Sequence, residues 1–192
     1  MHYASIDEVS EAVRTQRVSA VELVEAMLER IDRYDPELNS SAFVMADSAR
    51  TAARTADDEI RGGMWRGPLH GVPVAVKDLY GTASAPTSFG SAHLQEHYLA
   101  DDAAVVRRLR EAGAVIMGKL RMSEAALTDH GVGLPVPLNP WDAETWVGTS
   151  SSGSAAATAA GLCYAALASD TGGSLRGPAT AAALTGLKTT RG

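Results

Sequence analysis

The first part of the chain has the polar and apolar spacing of amphipathic helices. Ser5 precedes Glu8, and Ser19 precedes Glu22, at the spacing by which serine and glutamate side chains cap the start of a helix. We predict a helix after each pair. In the second of these helices the apolar residues form one stripe, as in a helix that packs against a hydrophobic core. A third helix is predicted from about Ser41 to Glu59, where alanine and charged residues dominate.

The pattern then changes to alternating short strands and helices. Valines at every second position over residues 72–76 predict a strand that delivers Lys77 to its end. A helix at 103–111 and a strand at 114–117 follow, and another strand is predicted at 164–168. This alternation predicts an α/β fold, in which helices cover a sheet.

Composition and charge narrow the class of protein. The chain has 192 residues, of which 45% are hydrophobic and 21% charged, as in a globular protein of one domain. A net charge of -6 disfavours nucleic acid, which is bound through clustered Lys and Arg, so we expect no direct nucleic-acid partner. No apolar stretch reaches the roughly 18 to 20 residues of a membrane span, and no secretory signal is recognisable, so no membrane partner is expected. The single cysteine, Cys163, indicates a reducing compartment, and we predict the cytoplasm.

A loop rich in serine and glycine, residues 148–161, leads into a predicted helix. Amides in such a loop can bind an anion, but the Lys and Ser or Thr that end a phosphate loop are absent, so a nucleotide site is disfavoured. The His and carboxylate residues show no spacing typical of metal ligands. A thiol–imidazole site made of Cys163 and His130 has no support beyond the two residue types. We therefore expect no cofactor and no metal.

Three segments taken together carry the chemistry. They are GVPVAVKD at 71–78, VGTSSSGSAAATAAG at 147–161 and SDTGGSLRGPA at 169–179. In order, spacing and composition they resemble the amidase signature family, and GLKTTRG at 186–192 continues the resemblance. That family hydrolyses or transfers carboxamides, with relatives acting on esters, carbamates and ureas. The resemblance implies the amidase signature fold, a mixed central sheet covered by helices.

The resemblance also implies a Ser-Ser-Lys triad. By position, the nucleophile falls on Ser174, the bridging serine on Ser150 and the lysine on Lys77. The interval between the two serines is the one that the family motif requires, so this alignment needs no gap. The resemblance further implies a cis peptide bond between Thr149 and Ser150. It places the oxyanion hole on the backbone amides of Thr171, Gly172, Gly173 and Ser174.

The triad has a physical rationale. A serine hydroxyl is a poor nucleophile until a base removes its proton. Lys77 can be that base only when neutral, and desolvation at a strand end lowers the pKa of a lysine. We expect neutral Lys77 to accept a proton from Ser150, which accepts one from Ser174 as Ser174 attacks the carbonyl.

Other residues around the triad are assigned supporting roles. Asp170 and Arg176 are interpreted as an ion pair, or a set of backbone bonds, that orients the loop. Ser151 is interpreted as a hydrogen-bonding support. Four positions differ from the commonest form of the motif, and none removes a triad member: Thr145, Val147, Thr149 and Ser152.

The length of the chain shapes the predicted domain organisation. Members of the family continue well beyond the nucleophile, so we expect residues 1–192 to be the N-terminal portion of a single amidase domain, truncated at the C-terminal side. Within it we predict a helical part at 1–66 and a signature core at 67–192. Exposed strand edges and apolar faces of such a portion predict self-association into a homo-oligomer.

Three functions are compatible with these residues. The favoured one is hydrolysis of a carboxamide or related C–N bond, or of an ester or carbamate, through an acyl-enzyme on Ser174. Its substrate would be a small-molecule amide, ester or carbamate. The second is a non-catalytic truncated remnant or scaffold that binds a partner. The third is an amidotransferase-type subunit that acts on acyl-tRNA and depends on companion subunits.

Overall fold

The computed structural model describes residues 1–190 as helices and strands joined by loops. The last two residues of the GLKTTRG segment, Arg191 and Gly192, lie outside the described residues. In chain order the elements are α1 (Ile6–Arg14), α2 (Ala20–Leu38), β1 (Ser41–Val44), α3 (Ala46–Arg61), β2 (Pro73–Lys77), α4 (Ala104–Glu111), β3 (Val115–Leu120), α5 (Ser152–Ala159), β4 (Ala166–Leu167) and α6 (Arg176–Ala181).

The predicted helix starts are confirmed, and one predicted helix is partly wrong. Ser5 and Ser19 cap α1 and α2, and in each case the glutamate three residues later bonds back to the serine. The segment that begins at Ser41 was predicted as helical, but it is strand β1, and α3 begins only at Ala46. β1 forms because its backbone pairs with β3, far away along the chain, so a local pattern does not reveal it.

The predicted mixed sheet covered by helices is confirmed. The strand order is β1-β3-β2-β4. β2 runs parallel to both β3 and β4, whereas β1 runs antiparallel to β3. Every residue of β2 and β3 is buried, so these two strands form the centre of the sheet.

Helices cover both faces of this sheet. Successive side chains of a strand point to opposite faces, so neighbouring residues of β3 pack against different helices. Val115 and Met117 of β3 pack with α2 and α3, in one apolar cluster. Val74 of β2 and Ile116 of β3 belong to another cluster, together with Val106 of α4. Within residues 1–190, no helix is both long and apolar enough to cross a membrane.

The parallel strands bring distant segments of the chain to one edge of the sheet. β2, β3 and β4 end at Lys77, Leu120 and Leu167, and their carboxyl ends face the same way. In open α/β sheets, ligands bind outside the carboxyl ends of the strands. The sheet therefore places Lys77 beside the loop that follows β4.

Helix α5 lies directly against the backbone that follows β3. The Gly153 amide donates to the Arg121 carbonyl at 3.0 Å. A Cβ atom at position 153 would lie 2.4 Å from the Ser40 carbonyl oxygen and 2.6 Å from the Arg121 nitrogen. Only glycine allows this approach, which holds the serine run before α5 against the sheet.

We expect Gly153→Ala to lower the free energy of unfolding by about 2 kcal/mol, because backbone must shift to admit the methyl group. The loss outweighs the gain of about 1 kcal/mol that alanine brings to a helix. Urea unfolding followed by circular dichroism measures the change. Gly172→Ala is the control, since no atom lies within 4 Å of its added Cβ. Equal stability of the two variants would contradict the close packing of α5.

Candidate functional site

Lys77 is a buried lysine at the end of β2. Its side chain is fully inaccessible to solvent. Nζ donates to Ser150 Oγ at 2.6 Å and to Ser169 Oγ at 2.8 Å. Desolvation lowers the pKa of Lys77 to about 8, while the charge of Asp170 acts in the opposite direction. Roughly one Lys77 side chain in ten is therefore neutral at pH 7.

Two features of the backbone define the position of Ser150. The peptide bond between Thr149 and Ser150 is cis, as predicted. Ser150 is buried, and its carbonyl accepts a hydrogen bond from the Ser123 amide at 3.2 Å. The Lys77–Ser150 contact of the predicted triad is thus formed in the structure.

Ser174 lies half-buried on the loop between β4 and α6. The Ser174 carbonyl accepts a hydrogen bond from the Ser151 amide at 3.2 Å, so the loop is tied to the serine run. Within residues 1–190 the Ser174 hydroxyl makes no hydrogen bond. The structure therefore brings Lys77 and Ser150 into contact and leaves the predicted link from Ser150 to Ser174 open.

Asp170 organises the loop that carries Ser174. Its side chain is 1% exposed, and its carboxylate accepts two hydrogen bonds at 2.9 Å from the Arg176 guanidinium. It also accepts the amides of Gly173 at 2.8 Å, Arg176 at 3.1 Å and Leu175 at 3.3 Å. The Arg176 guanidinium, followed by these amides, holds the pKa of Asp170 well below its usual range. Asp170 and Arg176 thus form an ion pair with additional backbone hydrogen bonds, and its role in orienting the loop stays a prediction.

The amides predicted for the oxyanion hole divide into two groups. The Gly173 amide points at the Asp170 carboxylate and is therefore occupied. Within residues 1–190, the amides of Thr171, Gly172 and Ser174 have no hydrogen-bond partner. Gly173 has a φ of +127°, a conformation that favours glycine, and this turn directs the loop past Asp170.

Ser151 and Ser152 differ in their partners. Besides its amide bond to the loop, Ser151 donates from its hydroxyl to the Ser169 carbonyl at 3.4 Å. Ser152 Oγ lies 3.3 Å from His130 Nε2. Ser151 therefore joins the serine run to the loop after β4, and its supporting role in the site stays a prediction.

Ser169 is a site residue that the sequence motifs do not indicate. It lies two residues beyond β4 and contacts Lys77 through its hydroxyl. The strand arrangement could have indicated this residue. Parallel strands end at the same edge of a sheet, so the residues just after β4 lie close to Lys77.

The thiol–imidazole pair is not formed. Cys163 is buried, desolvation raises the pKa of its thiol to about 11, and its sulfur lies 3.7 Å from Thr158 Oγ1. His130 instead contacts Ser152. Across residues 1–190, no group of three or more His, Cys, Asp or Glu side chains has an arrangement that could hold a metal ion.

Comparison with known sequences identifies relatives over nearly the whole chain. A sequence model of the family described as Amidase matches residues 22–192. The chain is 50% identical over 187 residues to AmiD of Mycobacterium tuberculosis, which carries the name of an amidase. It is 45% identical over 194 residues to a glutamyl-tRNA(Gln) amidotransferase subunit of Halorhodospira halophila. These alignments cover 97% and 100% of this chain, but only 39% and 40% of the relatives.

Solved structures show the same relation. The peptide amidase of Stenotrophomonas maltophilia matches with a TM-score of 0.83 and 35% identity, over 94% of this chain and 38% of that enzyme. A structure from a vestigial protein complex, linked to the origins of an s-triazine catabolic enzyme, matches with a TM-score of 0.87 and 35% identity, over 92% of this chain and 39% of that one. The chain thus spans about two fifths of the length of the relatives it matches.

The site geometry predicts how Lys77 titrates. We expect its pKa near 8, and a still lower pKa in Ser169→Ala, because that variant removes a hydrogen-bond acceptor from the charged form. The chain has three lysines, so NMR of ¹³C-labelled lysine resolves each one, with exposed Lys188 as the reference. Ser169→Thr retains the hydroxyl and serves as the matched control. A pKa of Lys77 near 10.5 would rule out the desolvated site.

Proposed function

We propose, because this chain belongs to the amidase family, that it hydrolyses a carboxamide or related C–N bond through an acyl-enzyme on Ser174. Esters and carbamates are included in the proposed substrate class. The observation that supports this best is the 2.6 Å contact between buried Lys77 and Ser150. A lysine desolvated against a serine hydroxyl is the base that an amide-cleaving serine requires.

In the proposed reaction, Ser174 Oγ attacks the substrate carbonyl carbon and transfers its proton to Ser150, whose own proton passes to neutral Lys77. The same relay in reverse protonates the leaving amine as the C–N bond breaks. Water then attacks the acyl-enzyme and releases the acid. The relay requires Ser174 Oγ to come within hydrogen-bond reach of Ser150 Oγ when substrate binds, as often happens in catalytic sites.

The negative charge that develops on the carbonyl oxygen needs donors. We assign this role to the amides of Thr171, Gly172 and Ser174, since the Gly173 amide is bonded to Asp170. Losing one donor of such a hole typically costs about 3 kcal/mol of transition-state stabilisation. Asp170 and Arg176 then act as positioning residues that shape the loop.

The proposed substrate is a small molecule, and no cofactor takes part. Similar solved structures include a peptide amidase and a 6-aminohexanoate cyclic dimer hydrolase, and amide bonds join the units of peptides and of such cyclic dimers. With a net charge of -6 the chain has no general attraction for nucleic acid. The buried thiol of Cys163 fits our assignment to the reducing cytoplasm.

A second candidate is the amidotransferase-type subunit. It is favoured by the 45% identity to the Halorhodospira halophila protein. This function predicts that turnover depends on companion subunits, whereas a hydrolase releases ammonia into water from a simple amide without them. The non-catalytic scaffold predicts that Ser174 has no unusual reactivity.

The proposed function predicts that a fluorophosphonate probe labels Ser174. Labelling should become faster as the pH rises through about 8, where Lys77 loses its proton. We expect Ser174→Ala to abolish labelling at this position and Lys77→Ala to slow it by roughly a hundredfold or more, the usual contribution of a general base. Mass spectrometry of the labelled peptide and rates at several pH values measure these effects.

Ser154→Ala is the matched control for this experiment. Ser154 is a buried serine of the same run, and its hydroxyl has no partner within residues 1–190, so the variant should label at the wild-type rate. A folded wild-type chain that is not labelled would contradict the proposed function for this chain and support the scaffold.

We also propose that the chain self-associates. β1 and β4 are the edge strands of the sheet, and unpaired strand edges favour association. Exposed Leu187 and Trp146 add apolar surface. We expect sedimentation velocity to show a sedimentation coefficient that increases with protein concentration. A single monomeric species at every concentration would refute this prediction.

A further inference from the structure

Lys119 is a second fully buried lysine, and its ammonium group is paired with the carboxylate of Asp78. It lies in β3 beside the end of β2. Nζ donates to Asp78 Oδ1 at 2.7 Å, Thr87 Oγ1 at 2.8 Å and the Pro86 carbonyl at 3.0 Å. An ammonium group has three protons, so every donor of Lys119 is used. These bonds fix its position with respect to two separate parts of the chain, Asp78 and the adjacent residues Pro86 and Thr87.

Asp78 extends this arrangement to the residue next to Lys77. Its other carboxylate oxygen accepts from the amide and the hydroxyl of Ser88, the amide at 3.1 Å. The Asp78 amide donates to the Leu120 carbonyl at 2.9 Å, and its carbonyl accepts from the Phe89 amide at 3.3 Å. Asp78 is therefore bonded both to β3 and to residues 86–90, which we call the support segment.

The support segment in turn backs the residues that hold Ser150. The Phe89 carbonyl accepts from the Ala125 amide at 2.8 Å. A Cβ atom on Gly90 would lie 2.6 Å from the Met122 carbonyl oxygen and 2.8 Å from that of Ser123, so the two backbones are in direct contact. Ser123 is the residue whose amide donates to the Ser150 carbonyl.

We infer that the Lys119–Asp78 pair is a positioning unit for the Lys77–Ser150 contact, an inference that rests on the proposed function. One side of the contact is held because Asp78 directly follows Lys77 in the chain. The other side is held through the support segment and Ser123. A single buried ion pair thus sets the distance between the base and the bridging serine, although both of its members are buried away from the surface that a substrate can reach.

This role differs from general stabilisation of the fold. Replacing both members of a buried ion pair by apolar residues is often neutral for stability, because desolvating two charges offsets their attraction, whereas removing one member alone destabilises the fold. The hydrogen bonds of Lys119 and Asp78 are directional and tie together backbone from β2, β3 and the support segment. Their loss should therefore disturb the geometry of the site even in a chain that remains folded.

Lys119→Met tests the inference by two readouts on the 192-residue chain. The first is the pH dependence of fluorophosphonate labelling at Ser174. The charged groups that bear on Lys77 in this experiment are Asp170 and the neighbouring Asp78, whose cationic partner the variant removes. We expect labelling at pH 7 to slow by about tenfold or more, since small displacements of catalytic groups have effects of this size. The midpoint should move to higher pH as water reaches Lys77. The second readout is hydrogen exchange at the Ser123 amide, which should become faster.

Met27→Ala is the matched control, because Met27 is 1% exposed and packs in the α2–α3 cluster away from the site. It should lower the melting temperature and leave the labelling midpoint and the Ser123 exchange unchanged. Thr87→Val is the milder second variant, which removes one acceptor of Lys119 if Lys119→Met does not fold. We expect it to slow labelling by about two- to fivefold and to speed Ser123 exchange.

Different results would contradict the proposed function and the inferred role of the Lys119–Asp78 pair. A wild-type chain that is folded but not labelled overturns the proposed function, and the exchange at Ser123 still decides the inference. Wild-type labelling combined with folded variants of Lys119 or Thr87 that keep the same midpoint and the same Ser123 exchange overturns the inference alone.

Discussion

The site depends on keeping an ammonium group away from water. Lys77 is fully buried and bonded to two serine hydroxyls, which stabilise a charge less well than bulk water does. The balance therefore shifts towards the neutral amine, and the pKa falls to about 8. The two hydroxyls come from the serine run before α5 and from the loop after β4, so both segments take part in this environment.

The main electrostatic difficulty for such a lysine is a nearby carboxylate. Asp170 acts on Lys77 and favours its charged form. The structure limits this effect, because the Asp170 carboxylate is already bonded to the Arg176 guanidinium and to three backbone amides. Its negative charge shapes the loop and is partly balanced by Arg176. The same ion pair thus holds the loop that carries Ser174 and, in the proposed mechanism, favours the neutral state of Lys77.

Much of this arrangement could be predicted from local sequence. The capping serines, the strand before Lys77 and the helix after the serine run all follow from spacing within a few residues. The order of the three motif segments indicated the family, and with it the cis bond before Ser150. The caps, the strand and the helix are determined by neighbouring residues, and the cis bond belongs to a motif that can be recognised in the sequence.

The features that were missed depend on contacts between distant segments. β1 pairs with β3 across the sheet, and its four residues resemble the start of the helix that follows. Ser169 reaches Lys77 only because β4 lies beside β2. Lys119 lay beyond the predicted end of β3, where a lysine is normally solvated, and its burial depends on Asp78 and the support segment. No local pattern distinguishes such residues from ordinary surface residues.

The two hydrogen bonds of Lys77 connect residues 73 and 92 positions apart. Bringing such distant residues together costs loop-closure entropy, so these contacts do not persist in an unfolded chain. A newly synthesised or unfolded chain therefore carries an ordinary charged lysine and ordinary unreactive serines. The reactivity that we propose for Lys77 and Ser174 therefore depends on tertiary structure, and an unfolded chain does not possess it.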